Sequence, residues 1–171
     1  MSTTLELSVI VLCYKAEESI ISFSQKLKKE ISKLTDSYEI ILVGNFLKDS
    51  GDKTPDIIKK IAKKDPVFKV ISKQKEGMMG WDVRQGISIS KGEFICYLDG
   101  DGQFPIESIS ECYKTIKTGK FGLVKTYRVK RNDGIQRMLI SNIYNAVFKL
   151  LFLNVKSRDI NSKPKIFHRN V

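Results

Sequence analysis

The sequence predicts an α/β fold, a mainly parallel sheet flanked by helices, and three observations carry that expectation. Continuous β-branched and leucine runs recur along the chain, the pattern of strands buried on both faces. Segments with apolar residues at helical spacing and lysines between them alternate with these runs. No internal repeat or low-complexity linker breaks the β-α-β-α-β-α-β-α order.

Leu7 to Leu12 is the first such run. Ile20, Phe23, Leu27, Ile31 and Leu34 then recur on one helical face, with Lys26, Lys28, Lys29 and Lys33 between them, predicting a helix from about Glu18 to Leu34. Tyr38 to Val43 is the second strand. After the loop Gly44 to Lys53, Thr54 reads as a hydroxyl cap and Pro55 as the first helical residue of a helix carrying Ile57, Ile58 and Ile61. Asp65 and Pro66 end it. Val67 to Ile71 is a third strand, Gly80 to Ser90 a third helix ended by Lys91 and Gly92, and Glu93 to Leu98 a fourth strand. Pro105 opens a helix with Ile106, Ile109, Tyr113 and Ile116 on one face. Phe121 to Thr126 reads as a further short strand and Gln136 to Leu153 as a long, largely apolar helix.

A chain of 171 residues, 42% of them hydrophobic, is long enough for one buried core and short for two, so residues 1–171 are read as one domain. No stretch reaches the roughly 18 to 20 consecutive apolar residues of a membrane span. The N-terminus lacks a basic region ahead of its apolar run, which argues against a secretory signal and for a cytoplasmic protein. Cys13, Cys96 and Cys112 form no CxxC pair and read as buried, reduced thiols. The net charge of +11 favours anionic partners: nucleic acid, phospholipid headgroups or a phosphorylated substrate. The lysines are spread over helix faces with no stacking aromatics among them, which argues against nucleic acid.

Ligands of open α/β sheets gather outside the carboxyl ends of the strands, so the residues that follow the fourth strand matter most. There the chain reads Asp99-Gly100-Asp101-Gly102-Gln103-Phe104-Pro105. Two carboxylates so close repel unless a cation lies between them. With the Gln103 amide as a third oxygen ligand they suit Mg²⁺ or Mn²⁺ completed by water and phosphate oxygens. The competing reading is a polar turn before a helix, with Asp101 supporting its N-terminus. An EF-hand does not fit, because no glutamate stands at the twelfth loop position.

The order of elements, the DGDGQFP segment, and the later Arg128, Arg137-Met-Leu-Ile-Ser141 and Asp159-Ile-Asn-Ser resemble family 2 glycosyltransferases, especially the dolichol-phosphate mannose synthase-like branch. The resemblance covers nearly the whole chain and implies a GT-A-like, Rossmann-like fold. It also implies a nucleotide-sugar-binding part over about residues 1–126 and an acceptor and phosphate side over about 127–171. By the same resemblance Asp99, Asp101 and Gln103 hold the metal on the sugar-nucleotide diphosphate, while Arg128, Arg137 and Ser141 hold acceptor and donor phosphates. Arg137 and Ser141 are four apart and share a helical face. Gly77 to Gly86, reading GMMGWDVRQG, matches the segment beside the sugar site, with Arg84 in reach of the donor and Trp81 read as core packing rather than a sugar platform. It is neither GxGxxG nor a P-loop.

The chain departs from that pattern in three places. After the first strand, where the family has Pro-x-Tyr-Asn-Glu, it reads Leu12-Cys13-Tyr14-Lys15-Ala16-Glu17, keeping Tyr14 and with Glu17 as a further donor-side candidate. Gly44 and Asn45 replace the Asp pair after the second strand, and an Asn45 amide both donates to and accepts from a base edge. Related enzymes continue past the NSKPKIFHR segment with further helix and strand, so the chain reads as C-terminally short. Lys125, Lys130 and Arg131 read as solvated loop charges, and His168 as a structural or surface residue.

The function expected is inverting transfer of a hexose from a GDP- or UDP-sugar to a polyprenyl phosphate or similar acceptor, with peripheral contact at an anionic cytoplasmic membrane face. An acceptor phosphate is already largely anionic near neutral pH and needs no general base. For a hydroxyl acceptor, Asp159 is the candidate base. The alternative is a non-catalytic, nucleotide-sugar-binding or regulatory module of the same fold.

Overall fold

The computed structural model describes residues 5–127, 140, 143–144, 146–148, 150–152 and 159–171. The strands are β1 (Leu5–Leu12), β2 (Tyr38–Val43), β3 (Phe68–Ile71), β4 (Gly92–Asp99), β5 (Leu123–Lys125) and β6 (Lys165–His168). The helices are α1 (Ser19–Ile31), α2 (Thr54–Lys64), α3 (Met79–Ile89) and α4 (Ser108–Ile116). They build one sheet in the order β3-β2-β1-β4-β6-β5. β1 pairs in parallel with β2 and β4, and β2 in parallel with β3, as the buried apolar runs predict.

The core lies on both faces of the sheet. Leu7, Val9 and Val11 of β1 pack with Ile20, Phe23, Leu27 and Ile31 of α1, Ile58 of α2 and Ile109 of α4. Ile10 points the other way, among Ile41, Val43, Ile71 and Ile95, where α3 adds Ile87. Alternate residues of one strand therefore serve opposite layers, and both must be apolar. Burying each such Ile or Leu side chain contributes about 1.5–3 kcal/mol. α3 sits close enough that a Cβ on Gly86 would lie 2.5 Å from Ile10 Cγ2, which is why glycine is needed there.

Four predicted details come out differently. α1 ends at Ile31, and residues through Leu34 form turns after it. Thr54 is the first residue of α2 rather than its cap; its hydroxyl accepts the Glu17 N–H (2.8 Å), while Asp52 Oδ1 accepts the Thr54 N–H (2.9 Å). Lys53 stands at the N-cap with no side-chain capping bond, and the Thr54 hydroxyl is engaged with the neighbouring loop instead. Pro105 to Glu107 form a turn, and α4 starts at Ser108, whose N–H donates to the Pro105 carbonyl (3.1 Å). Lys125 is half-buried, and its ammonium donates to the Asp159 carbonyl and to Ser162 Oγ (3.1 Å), so it ties β5 to the loop before β6 rather than standing in solvent.

β6 has no counterpart in the predicted order. It inserts antiparallel between β4 and β5, with Lys165 opposite Tyr97 and opposite Lys125. Much of the predicted Gln136 to Leu153 helix lies outside the described residues. Within it Ile140, Ile143, Tyr144, Ala146, Val147, Phe148, Leu150 and Leu151 are helical. Among the described residues no helix is long and apolar enough to cross a membrane. Cys13, Cys96 and Cys112 are buried free thiols, as expected.

Candidate functional site

The order of the strands reverses between β1 and β4: β2 and β3 continue to one side of β1, while β4 joins on the other. A crevice opens at such a switch point beyond the carboxyl ends of the strands. Leu12 stands opposite both Val43 and Asp99, so three strands end at one level, and Gly100 N–H closes onto the Leu12 carbonyl (2.9 Å). A cavity of about 600 Å³ lies there, lined by Leu12, Tyr14, Lys75, Met78, Asp82, Asp99 and Asp101 among others.

The loop after β1 forms one wall. Lys15 and Glu17 have positive φ (53° and 46°), an unfavourable backbone for non-glycine residues. Hydrogen bonds hold it: Lys15 N–H donates to Asp52 Oδ2 (3.1 Å) and Glu17 N–H to Thr54 Oγ1. The result turns Tyr14 outward, 39% exposed, onto the cavity. Glu17 is exposed, and the cavity lining does not include it. Just behind Tyr14, burial pushes the Cys13 thiol far above its ordinary range, so it is no nucleophile.

The opposite wall is a buried polar chain. Asn45 is 1% exposed; its Nδ2 donates to Asp82 Oδ1 (2.8 Å) and its Oδ1 accepts the Lys73 N–H (2.9 Å). The Lys75 ammonium pairs with Asp82 Oδ2 and lies 4.8 Å from the centre of the Tyr14 ring. Both ends of the Asn45 amide are thus engaged within the protein, and the groups that reach the cavity are Asp82, Lys75 and Tyr14. Asp82 and Lys75 were not evident as site residues in the sequence: Asp82 lies within the GMMGWDVRQG segment, whose reading singled out Arg84 and Trp81 instead, and Lys75 belongs to no short motif. Arg84 is exposed on α3 and is not part of the cavity lining. Trp81 is partly buried and closes over Gly77, where an added Cβ would lie 2.7 Å from the Trp81 Cβ.

The third wall is the turn after β4. Asp101 Oδ1 accepts the Gln103 N–H (3.0 Å), and Gly102 takes φ +71°, so both glycine and aspartate shape this turn. Asp101 and Gln103 are exposed. Asp99 is engaged: the Lys163 ammonium lies 2.6 Å from each of its carboxylate oxygens and 2.9 Å from Met79 Sδ. Lys163 reaches it because the antiparallel register that sets Lys165 against Tyr97 brings residue 163 level with residue 99. Asp159 is 2% exposed on the same loop, outside the cavity lining, and its carbonyl accepts from Lys125 and from Ser162. Arg128, Arg137, Ser141, Lys130 and Arg131 lie outside the described residues. His168 packs edge-on to Phe94 (5.5 Å) and faces Glu93 (3.3 Å), a structural placement.

A strand-end acidic pair at the switch point of a parallel sheet coincides with a match of residues 8–170 to the model of glycosyl transferase family 2. The chain belongs to that family. Among its family 2 relatives is the undecaprenyl-phosphate 4-deoxy-4-formamido-L-arabinose transferase of Photorhabdus laumondii, 29% identical over 144 residues, covering 83% of this chain and 43% of that protein. The putative glycosyltransferase EpsH of Bacillus subtilis is 35% identical over 94 residues, 55% of this chain and 25% of that one. The chain thus spans less than half the length of these relatives. Among solved structures, glucosyl-3-phosphoglycerate synthase from Mycobacterium tuberculosis in complex with Mn²⁺, UDP-glucose and phosphoglyceric acid superposes with a TM-score of 0.69 at 17% identity, covering 97% of this chain and 57% of that one. The mannosyltransferase PcManGT from Pyrobaculum calidifontis, in complex with GDP-Man and Mn²⁺, gives 0.58 at 18% identity, covering 99% and 46%. These likenesses establish the GT-A fold for this family 2 chain.

Proposed function

We propose that the cavity beyond β1 and β4 binds the nucleotide diphosphate of an activated sugar together with a divalent cation, and that the protein transfers the sugar, a hexose, with inversion, to a polyprenyl phosphate or similar acceptor. The observation that carries the reading is the convergence of Asp99, Asp101, Tyr14 and Lys75 on one cavity of about 600 Å³ at the switch point. Solved neighbours of the same fold hold UDP-glucose or GDP-Man with Mn²⁺, and curated relatives are undecaprenyl-phosphate transferases.

Among the described residues, no group of three or more His, Cys, Asp or Glu side chains could hold a metal ion alone. The exposed Asp101 carboxylate and Gln103 amide are hard oxygen donors, with Asp99 beside them, and they fit Mg²⁺ or Mn²⁺ if phosphate oxygens of the donor complete its shell. When bound, such an ion neutralises charge developing on the leaving diphosphate. Tyr14 offers an aromatic face and Lys75 a cation to the donor. Asp82 is oriented by Asn45 and has a carboxylate on the cavity wall. For an anionic acceptor no base is required of the chain. Arg128, Arg137 and Ser141 are proposed to hold phosphates, and Asp159 is the base proposed for a hydroxyl acceptor. The basic surface of a chain with net charge +11 suits peripheral contact with anionic lipid.

Titration calorimetry of UDP- and GDP-sugars with Mn²⁺, comparing the natural chain with Asp101→Asn, tests the reading. A loss of affinity of about tenfold or more is expected from removing a charged ligand. Undiminished metal-dependent binding by the variant removes the proposal.

A further inference from the structure

The ion pair of Lys75 and Asp82 lies at the side of the cavity away from the acids of β4. Lys75 follows β3, and its N–H donates to the Phe46 carbonyl in the loop after β2 (2.8 Å). Asp82, on α3, is tied to Asn45 just past β2. Because β1 lies between β2 and β4, Tyr14 at the end of β1 stands between this pair and Asp101. A nucleoside diphosphate with its phosphates at the β4 acids therefore runs over Tyr14 and brings its base to Lys75 and Asp82. The two side chains are 8% and 7% exposed, yet both residues line the cavity. Lys75 spends one of its three hydrogens on Asp82, and among the described residues no other group takes the remaining two. Asp82 accepts from Lys75 on one oxygen and from Asn45 on the other, and each oxygen keeps a lone pair. A donor and an acceptor thus stand side by side, next to an aromatic ring 4.8 Å from the ammonium. Asn45 itself is 1% exposed and outside the cavity lining, so it acts on a ligand through Asp82.

We infer that Lys75 and Asp82 together read the base of the nucleotide and select a lactam edge, a carbonyl beside a ring N–H, as uracil and guanine present; this rests on the donor-site reading above and deepens it. The base carbonyl accepts from the Lys75 ammonium, and the ring N–H donates to the Asp82 carboxylate. Cytosine and adenine carry the opposite order on that edge, an exocyclic amine beside an unprotonated ring nitrogen. With ribose and diphosphate held in place, the amine meets the ammonium and the ring lone pair meets the carboxylate. A site built to hydrogen-bond one pattern rejects its reverse, because buried polar groups are then left unpaired. The carboxylate that faces the base thus comes from α3, and the amide after β2 only holds it in place.

Titration calorimetry of UDP, GDP, CDP and ADP, each with Mn²⁺, into the natural chain tests this without turnover. The tighter of UDP and GDP is expected to bind about tenfold or more above CDP and ADP, and it identifies the base. CDP or ADP binding as tightly overturns the inference and leaves the donor-site reading standing. Absence of binding by all four removes the donor-site reading and the inference with it. Lys75→Met combined with Asp82→Asn takes away both buried charges at once and leaves no unpaired ion. In this double variant the ratio of UDP or GDP affinity to CDP affinity is expected to fall to about one. A uniform loss across all four nucleotides, with the ratio kept, marks the pair as scaffold or phosphate contact and overturns the inference. Should the double variant fail to fold, the imino proton of UDP or GDP bound to the natural chain decides. A nuclear Overhauser contact from it to the side chain of Lys75 or Asp82 is expected, and contacts to other residues alone overturn the inference.

Discussion

Asn45 shows how one residue changes role when its neighbours change. In the resembling family an acid follows the second strand. Here an amide stands there, donating to Asp82 and accepting from the Lys73 backbone in a setting 1% exposed. Asn45→Asp would set a second carboxylate 2.8 Å from Asp82 and remove the donor between them. The variant is expected to lose about 1–3 kcal/mol of stability in urea unfolding at neutral pH. Adding Asp82→Asn should restore part of it, the positive coupling of a contacting pair. Of the residues the sequence put forward, Asp99 and Asp101, named for their spacing, and Tyr14, named from the family resemblance, line the cavity, while Gln103 does not. Asp82, Lys75 and Lys163 remained hidden because their significance depends on partners far along the chain: Lys163 pairs with Asp99 across 64 positions.

At the scale of elements, the four β-α alternations were legible because buried parallel strands are written as unbroken apolar runs. β6 was not, since Lys165–His168 is only four residues long, is framed by charges, and takes its place from an antiparallel partner rather than from its own pattern. The cap of α2 was misplaced by one residue for a similar reason: Lys53 stands at the N-cap, while Thr54 accepts the Glu17 N–H, a contact with no local signature. Close packing of α3 on β1 gives a prediction for this level. Gly86→Ala would drive a Cβ to 2.5 Å from Ile10 Cγ2, so α3 must lift. Overpacking of this kind costs about 1–3 kcal/mol and should lower the urea midpoint accordingly. Because α3 carries Asp82, the same variant is expected to weaken nucleotide binding, read by calorimetry.

At the scale of the whole molecule, the far end of β1 is fastened electrostatically. The Lys117 ammonium and the Thr35 hydroxyl hydrogen-bond to Glu6 and hold its carboxyl down at about 2, against 4.5 for an unperturbed one. A depressed acid contributes its stability in full above about 4.5 and loses it as pH falls towards about 2. Glu6→Gln should therefore flatten the loss of stability over that acid range, followed by urea midpoints at a series of pH values. A midpoint slope unchanged from the natural chain contradicts this. At the opposite end of the strands, the acids and lysines of the cavity gather where β1 and β4 end, the place proposed for the donor. The most direct measurement is a crystal structure of the chain grown with Mn²⁺ and UDP or GDP at saturating concentration. Electron density for the nucleotide between Tyr14, Lys75 and Asp101, with the metal on Asp101 and diphosphate oxygens, is the predicted result. Nucleotide density elsewhere on the surface, or an empty cavity while the ligand is bound in solution, would contradict it.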